Sequence, residues 1–410
     1  MIKVAIFFTS ASGQQIPAGE LIVSDPDSQG RLQGQFRYHQ SYLSSPFAIP
    51  LDPIHLPLSS EILDANRPQS GVHGVFEDSL PDDWGRKIMI RRYMLPRDKQ
   101  RVPHYLQLLQ GNGLGALSYG EGEKPLSATT TIDTCHLTQL QELAQKFEED
   151  PVAVEDNFAL LFQAGSSPGG ARPKALIQDG QHEYIAKFAS IRDQFAVVPL
   201  EAATMELAQL AGLSVAETKR VPCGETDILL VKRFDVHKNG GRHHLISMQT
   251  LLAADGYYTC GYRDMARVIR QVSDHVQQDL LQLYKQLVFN VLLGNTDDHL
   301  KNFCMMHNEK GWQLTPAYDL VPNIPLNQEH SLFINDSYQP PNRAALIREA
   351  SSFLLKKKPA AEKTIDHILH GIRQWKQLFH KHSVPEHDIR ILGKDIEKRI
   401  ARIASSDDQS

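Results

Sequence analysis

The spacing of hydrophobic and polar residues divides the chain into a β-rich first part and a helical last part. Short apolar runs between Gly, Ser, Asp and Pro turns predict strands at 4–8, 20–23 and 34–38. Further strands are predicted at 183–188, 215–222 and 227–235. From about residue 236 the apolar spacing becomes helical, at 247–253, 262–272, 279–293, 361–379 and 385–403. This order predicts an α+β fold.

Helices are also predicted between the strands of the first part. Residues 87–94 follow Pro81, and either Asp82 or Asp83 can cap that helix at its N-terminus. Apolar residues at helical spacing predict three more helices, at 103–109, 133–148 and 199–213. Gly212 is the expected end of the last one, because glycine readily adopts the left-handed conformation that terminates many helices.

Composition is that of an ordinary globular protein and excludes several classes. The 410 residues are enough for two or three domains, and 41% hydrophobic and 22% charged residues are typical of soluble proteins. The net charge of −5 gives no electrostatic reason for the whole chain to coat nucleic acid. No apolar run is long enough to span a bilayer, and the N-terminal apolar run predicts a strand rather than a secretion signal.

The cysteines are far apart in the sequence and form no C-x-x-C pair. They are Cys135, Cys223, Cys260 and Cys304. This spacing argues against a structural zinc site and against a disulfide framework, and it is typical of a protein of the reducing cytoplasm.

The most informative stretch is Asn-Thr-Asp-Asp-His-Leu-Lys-Asn at 295–302, directly after a predicted helix. Asp297 and Asn302 have the D-x-x-x-x-N spacing of the kinase catalytic loop, in which the Asp accepts the proton of the attacking hydroxyl and the Asn binds a metal ion. Asp319, in the turn at 315–322, can add the carboxylate that Mg²⁺ prefers. The loop alone does not separate this interpretation from an Asx-rich turn that caps a helix.

A glycine-rich segment at 164–174 provides a second piece of chemistry. Small residues let backbone N–H groups approach a polyphosphate, although this segment lacks the Lys-Ser/Thr ending of a Walker A loop. Asp179-Gly180 predicts a hairpin turn, and the returning strand at 183–188 contains Lys187. A strand lysine behind a glycine loop is the kinase arrangement for binding phosphates. The alternative is an edge-strand lysine that protects against aggregation.

A kinase also needs a glutamate that pairs with this lysine. The helix at 199–213 offers Glu201 and Glu206, and each lies about 100° from its apolar stripe, so periodicity does not choose between them. The strand at 227–235 would then be the hinge strand beside the adenine ring. Each element is modest evidence by itself, but together they follow the order of a kinase along the chain.

With these residues, the chain resembles the HipA family of serine/threonine kinases, the toxin components of bacterial toxin–antitoxin pairs. The segments that carry the resemblance lie at 76–86, 111–119, 167–174, 184–188, 230–235, 294–303 and 316–319. Of these, Asn-Thr-Asp-x-His-x-Lys-Asn is the most specific. The likeness spans about residues 1 to 400. It implies a two-lobed, protein-kinase-like fold with a partly β N-terminal subdomain at 1–125, a nucleotide-binding lobe at 126–235 and a mostly helical lobe at 236–410.

The resemblance also implies a role for each motif residue, with ATP and Mg²⁺ as cofactors. It makes Asp297 the catalytic base, selects Glu201 as the partner of Lys187, and places Asn302 and Asp319 on the metal ion. The residues implied to contact the nucleotide are Gly169, Gly170, Ala171, Arg172, Pro173, Lys174, Lys187, Lys232, Arg233, Phe234, His299, Lys301 and Tyr318. Family members inactivate themselves by phosphorylating a serine of the glycine loop. Ser167 stands at the matching position, with Ser166 beside it.

The better-known family members phosphorylate aminoacyl-tRNA synthetases and bind a small DNA-binding antitoxin. The resemblance therefore implies a protein substrate, an antitoxin partner, contact with DNA only through that partner, and no membrane. The Gly-Gly-Ala-Arg-Pro-Lys form of the loop differs from the best-known members. No motif in the sequence encodes the substrate.

Two other classes of function compete with this interpretation. A small-molecule kinase of the aminoglycoside or choline type uses similar chemistry, but such kinases usually place a His before the catalytic Asp. A non-catalytic co-repressor built on an inactive kinase fold is disfavoured because Lys187, Asp297, Asn302 and Asp319 are all present.

Overall fold

The structure is a computed structural model with two compact units. It describes residues 1–67, 69–109, 113–120, 122, 132–151, 158–165, 172–224, 226–237, 239–256, 259–323 and 329–405. Unit 1 comprises Met1–Arg192, Val221–Ile246 and Met306–Glu309, and unit 2 comprises Asp193–Arg220, Ser247–Met305 and Lys310–Ser410. The division into three domains at residues 125 and 235 stays a prediction.

The first sheet lies in unit 1 and is antiparallel, with the order β4-β3-β2-β1-β5. Its strands are β1 (Ile2–Thr9), β2 (Gln15–Val23), β3 (Gly34–Tyr38), β4 (Leu63–Asp64) and β5 (Leu117–Gly120). Gly19 of β2 needs to be glycine, because a Cβ there would lie 2.4 Å from the ring of Phe36. Phe36 in turn packs on Phe76, with ring centroids 5.3 Å apart, so this close approach forms part of the core.

Four helices of unit 1 follow or interrupt this sheet. They are α1 (Gln40–Leu43), α2 (Gly74–Glu77), α3 (Asp83–Tyr93) and α4 (Val102–Leu109). Asp82 occupies the N-cap position of α3, although its side chain makes no capping hydrogen bond. The sequence therefore predicts both α3 and α4. The predicted start of α3, at residue 87, lies four residues after its observed start.

The second sheet has the order β6-β7-β8-β10-β9. Its strands are β6 (Ile132–Asp133), β7 (Lys174–Asp179), β8 (His182–Lys187), β9 (Thr218–Cys223) and β10 (Thr226–Lys232). The predicted Asp179-Gly180 hairpin joins β7 to β8, and Gly180 has a φ of +59°. The helices α5 (Leu137–Glu149) and α6 (Phe158–Gly165) pack near it, and a buried cluster that includes Trp84, Phe147 and Ile177 forms the core.

Unit 2 is mostly helical and is built around one buried helix. That helix is α10 (Val276–Leu293), which contacts its neighbours α9 (Tyr262–Val272), α12 (Lys358–Ile372) and α14 (Glu386–Ala404). Leu280, Leu283 and Leu287 are fully buried, which fits the apolar spacing of the sequence. The remaining helices are α7 (Val197–Leu210), α8 (Met248–Leu251), α11 (Arg343–Glu349) and α13 (Trp375–Lys381).

Three predicted helices have different bounds in the structure. The segment predicted as one helix at 361–379 forms two helices. The first, α12, ends at Ile372, and the second, α13, begins at Trp375 and packs on α7. The helix predicted at 133–148 begins only at Leu137, because the Asp133 carboxylate accepts the backbone N–H of Cys135 and a 3-10 turn forms first. The helix predicted at 247–253 is reduced to α8, since Ser247 ends a strand.

A small third sheet lies in the part of the sequence where helices are predicted. Its strands are β11 (His244–Ser247), β12 (Cys304–Asn308) and β13 (Gly311–Leu314), in that order. Periodicity alone does not distinguish a short buried strand from a buried helical segment. Among the residues that the structure describes, no helix combines the length and apolarity that crossing a membrane requires.

Candidate active site

The loop with the D-x-x-x-x-N spacing begins where α10 ends. Gly294 closes the helix with a φ of +82°, and its N–H donates to the carbonyl of Asn290 at 2.9 Å. A Cβ at this position would also lie 3.0 Å from polar atoms of Asp395 and Arg399. A glycine is therefore required at the point where the rigid core helix leads into the loop.

Within this loop, Asp297 lies at the surface and is linked to Asn302. The Asp297 side chain is 68% exposed, and its Oδ1 lies 4.0 Å from Nε2 of His299. The amide nitrogen of Asn302 donates to the backbone carbonyl of Asp297 at 3.0 Å. This bond spans the five-residue offset and holds the two residues of the motif together. Because the nitrogen is used as a donor, the Asn302 amide oxygen is the atom left to act as a ligand.

Asp319 lies in a turn that is bonded to the same loop. The Tyr318 hydroxyl donates to the carbonyl of Lys301 at 2.9 Å and lies 3.0 Å from the sulfur of Cys304. Asp319 has a φ of +56°, a conformation that is uncommon outside glycine but tolerated by Asp. Residues held in such conformations are found preferentially at functional sites.

The chemistry of Asn302 and Asp319 fits a magnesium ion that is shared with a bound ligand. One carboxylate and one amide oxygen are hard donors, as Mg²⁺ prefers, but they are too few to complete its six-coordinate shell. Throughout the described ranges, no group of three or more His, Cys, Asp or Glu residues could hold a metal ion. The remaining ligands would have to be water and phosphate oxygens, which is how many nucleotide-binding enzymes hold magnesium.

The two glutamates of α7 have different environments. Glu206 is partly exposed and forms an ion pair with Lys381 at 2.6 Å, and its other carboxylate oxygen lies 2.7 Å from Nε2 of His382. The hydrogen bond from Lys381 is the main reason why the pKa of Glu206 is lowered. Glu201 is only 2% exposed, and apart from Thr204 the other buried residues of its helix are apolar. Glu206 therefore has a structural role in holding α13, which favours Glu201 as the functional residue.

Lys174 and Lys187 lie directly opposite each other in neighbouring strands. Lys174 begins β7 and Lys187 ends β8, and the two are partners in the antiparallel register. Side chains at such positions are only about 5 Å apart at Cβ, and like charges there are destabilising. Lys174 is also largely buried, at 8% exposure. Two basic side chains at paired positions of neighbouring strands are chemically suited to an anionic ligand.

Arg233, predicted as a nucleotide contact, lies in a buried ion network of unit 1. Its guanidinium bonds to Asp235 at 2.6 Å and to Glu183 at 2.9 Å, and Glu183 also pairs with Arg242 at 3.3 Å. The Asp235 carboxylate accepts the backbone N–H of Gly115 at 2.7 Å. Burial alone would raise the pKa of Asp235, but the charge and hydrogen bonds of Arg233 outweigh it and hold that pKa at about 2.

Several predicted site residues lie outside the described ranges or have no contact that decides their role. Ser166, Ser167, Gly169, Gly170 and Ala171 fall outside the part of the chain that the structure describes. Directly after them, Arg172 is exposed and Pro173 is buried next to β7. Lys232 ends β10 and Phe234 follows it, both partly buried. The nucleotide contacts proposed for these residues stay predictions.

A cavity of about 140 Å³ lies beside the loop in unit 2. The loop contributes His299, Leu300 and Lys301 to its lining, and Ser331 and Leu332 also line it. Both polar and apolar groups therefore line a cavity that lies a few residues from Asp297 in the sequence.

Two family models match the chain. Residues 13–120 match the family model described as HipA N-terminal domain, and residues 166–376 match the HipA-like C-terminal domain. The chain belongs to the HipA family. The resemblance noted in the sequence is thereby confirmed, and the two family domains together cover most of the chain.

Individual relatives are similar over shorter stretches. A putative kinase, Y4dM of Sinorhizobium fredii, is 31% identical over 199 residues, which are 44% of this chain and 47% of that protein. The serine/threonine-protein kinase toxin HipA of Shewanella oneidensis is 30% identical over 164 residues, or 33% of this chain and 37% of that protein. A second putative kinase of S. fredii, Y4mE, is 29% identical over 30% of this chain and 32% of its own length. The matches thus span between 32% and 47% of the length of these relatives.

One solved structure resembles the whole chain in fold. In this structure, HipA of Shewanella oneidensis is in complex with HipB and operator DNA. The likeness covers 97% of this chain and 96% of that one, with a TM-score of 0.69 and 18% identity. The predicted α+β fold, β-rich in its first part and more helical in its last part, is thereby confirmed.

Proposed function

We propose that this HipA-family protein is an ATP- and Mg²⁺-dependent protein serine/threonine kinase. The observation that carries the proposal is the hydrogen-bonded frame of unit 2. In this frame the exposed Asp297, the metal-ligand candidate Asn302 and the turn with Asp319 are connected through two bonds, from Asn302 to the Asp297 carbonyl and from Tyr318 to the Lys301 carbonyl. Phosphoryl transfer depends mainly on positioning and on electrostatic stabilisation, and such a frame provides the positioning.

Each residue of the frame has a separate task in this proposal. Asp297 accepts the proton of the attacking serine or threonine hydroxyl, for which an exposed carboxylate on a fixed loop is suited. Asn302 and Asp319 would hold Mg²⁺, which supplies charge neutralisation at the phosphates when bound. Lys174 and Lys187 are the proposed phosphate-binding lysines of the second sheet, and Glu201 stays the proposed partner of Lys187. The cavity beside the loop offers a concave surface for residues next to the acceptor hydroxyl.

We infer the protein substrate and the protein partner from membership of the family, and not from a particular contact in the structure. We assign the protein a host protein as its substrate, with an aminoacyl-tRNA synthetase as the first candidate. The solved relative from Shewanella oneidensis is in complex with HipB and operator DNA. We therefore expect a small DNA-binding antitoxin as partner here as well, with DNA reached through it.

Replacement of Asp319 tests the metal site. We expect Asp319→Ala to lose most of its affinity for Mg-ATP, because it removes the only carboxylate assigned to the ion and leaves the metal mainly to water and phosphate. Calorimetry with Mg-ATP measures the effect. Asp366→Ala, which removes an exposed carboxylate of α12, is the matched control and should bind as the wild type does. Unchanged Mg-ATP affinity in Asp319→Ala would remove Asp319 from the site.

We also expect self-phosphorylation of the glycine-rich segment on Ser167, or failing that on Ser166, with loss of activity. A phosphate adds about two negative charges where the nucleotide brings its own, and it can hold a glycine-rich loop away from the site. Mass spectrometry after incubation with Mg-ATP locates the phosphate, with Asp297→Asn as the inactive control. Ser167→Ala should prevent both the modification and the loss of activity if Ser167 is the site. A modified protein that still turns over would refute the regulatory part of this prediction.

A further inference from the structure

The residue next to the proposed base is a second aspartate with the opposite environment. Asp298 is 1% exposed, whereas the Asp297 side chain is 68% exposed. The two carboxylates therefore leave the backbone of the loop in different directions, one into the interior of unit 2 and the other to its surface. The sequence gives no sign of this difference, because both residues are aspartates in the same polar run.

The Asp298 carboxylate has three polar partners, which come from two segments of the chain. The Tyr262 hydroxyl, from α9, donates to its Oδ2 at 2.8 Å, and Nδ1 of His330 lies 3.1 Å from the same oxygen. The backbone N–H of Ser331 donates to Oδ1 at 2.9 Å. Burial, followed by the nearby Asp298 charge, raises the pKa of Tyr262 well above its usual value, so the phenol stays a donor. A buried carboxylate without such donors would cost several kcal/mol.

These bonds close a ring that begins and ends in the loop. The side chain of Asn295 donates to Asn290 of α10 at 3.1 Å, and Asn290 donates to the Tyr262 hydroxyl at 3.0 Å. The Tyr262 hydroxyl then donates to Asp298. Asn295, on one side of Asp297, is thus bonded to α10, and Asp298, on the other side, is bonded to α9. Polar contacts on either side of the base therefore determine its position.

The segment at 330–331 adds a further connection to the same loop. The Ser331 hydroxyl donates to the carbonyl of Thr296 at 3.1 Å, while its N–H reaches Asp298. Thr296 in turn donates from its backbone N–H to the side chain of Asn323 at 2.8 Å. The residues immediately before and after Asp297 are therefore both held by side chains from outside the loop.

We propose that Asp298 is a positioning residue that fixes the loop so that Asp297 is held in place for proton transfer. This inference rests on the proposed kinase activity. The expected size of the effect follows from geometry, since a displacement of about 1 Å at a reacting group can cost about a hundredfold in rate. Asp298 itself does not contact a substrate in this account, and it acts only through the loop.

The test compares Asp298→Asn with a matched buried carboxylate. Asn keeps the shape of Asp but loses the charge and one acceptor oxygen. Asp279→Asn is the control, because Asp279 is also buried and accepts bonds from Ser273 and Leu314, at the other end of α10. We expect Asp298→Asn to lower kcat about 10- to 100-fold with Mg-ATP affinity within twofold of the wild type. Tyr262→Phe should act in the same direction, and the double variant should lose less than the product of the two effects.

A second measurement keeps the inference separate from the proposed activity. Hydrogen exchange of peptides that cover 294–303 should be faster in Asp298→Asn than in the wild type and unchanged in Asp279→Asn. A wild type without transfer activity would refute the proposed function, and the exchange data would still decide whether Asp298 holds the loop. Unchanged exchange, or a kcat per folded molecule within twofold of the wild type, would overturn the proposal. An equal loss of kcat in Asp279→Asn would also overturn it, since the effect would then be one of general stability.

Discussion

The Asp297→Asn variant is expected to lose phosphoryl transfer by about 100- to 10,000-fold while it keeps its affinity for Mg-ATP. The amide has nearly the shape of the carboxylate but cannot accept the proton of the attacking hydroxyl. Its backbone carbonyl, which accepts the bond from Asn302, is unchanged, so the metal-ligand candidates stay in place. Transfer is measured with labelled ATP and binding by calorimetry. The contrast between the two readouts separates a base from a residue that binds the nucleotide.

The matched control for this variant is Asp366→Asn, an exposed carboxylate of α12 that should have no effect on either readout. Turnover close to that of the wild type in Asp297→Asn would show that Asp297 is not the base. Loss of nucleotide affinity together with turnover would instead assign Asp297 to nucleotide or metal binding.

The second large effect concerns stability and the buried network of unit 1. We expect Arg233→Met to lower the free energy of unfolding by about 3–5 kcal/mol, because it leaves the buried Asp235 carboxylate without its cation. Glu183 is less affected, since Arg242 also pairs with it. Chemical denaturation followed by circular dichroism measures the change. Lys3→Met is the control, since the Lys3 ion pair with Glu20 is exposed and should contribute little.

The pH dependence of this effect has a definite sign. The pKa of Asp235 in the folded protein is about 2, below the ordinary aspartate value of 3.8. A lowered carboxylate pKa contributes stability that is present above about pH 4 and is lost as the pH falls towards 2. The stability difference between wild type and Arg233→Met should therefore shrink between pH 4 and 2. A difference that is small at pH 7, or that grows on acidification, would contradict the assigned role of the network.

Patterns along the sequence predict the long regular elements well. The apolar spacing at 262–272 gives the bounds of α9, and 279–293 finds α10 except for its first turn. Asp179-Gly180 predicts the hairpin. Gly212, with a φ of +81°, lies two residues after the end of α7 and stops that helix as expected. These features depend on local preferences, which is why a single sequence reveals them.

Features that depend on contacts between distant residues are the ones that the sequence does not reveal. The difference between Asp297 and Asp298 arises from Tyr262, His330 and Ser331, which are at least 32 residues away. The role of Arg233 depends on Asp235, which is two residues away, but also on Glu183, which is 50 residues away. Periodicity likewise leaves Glu201 and Glu206 equivalent, whereas the contacts of Glu206 with Lys381 and His382 distinguish them.

The proposed activity is transfer of the terminal phosphate of ATP to serine or threonine hydroxyls of protein. The most direct measurement is incubation of the purified protein with ATP labelled at its terminal phosphate, with and without Mg²⁺, followed by phosphopeptide mapping. We expect label on serine or threonine in the presence of Mg²⁺, and none after chelation or in Asp297→Asn. Label that appears only on a small molecule, an absence of transfer by the wild type, or equal labelling by Asp297→Asn would contradict it.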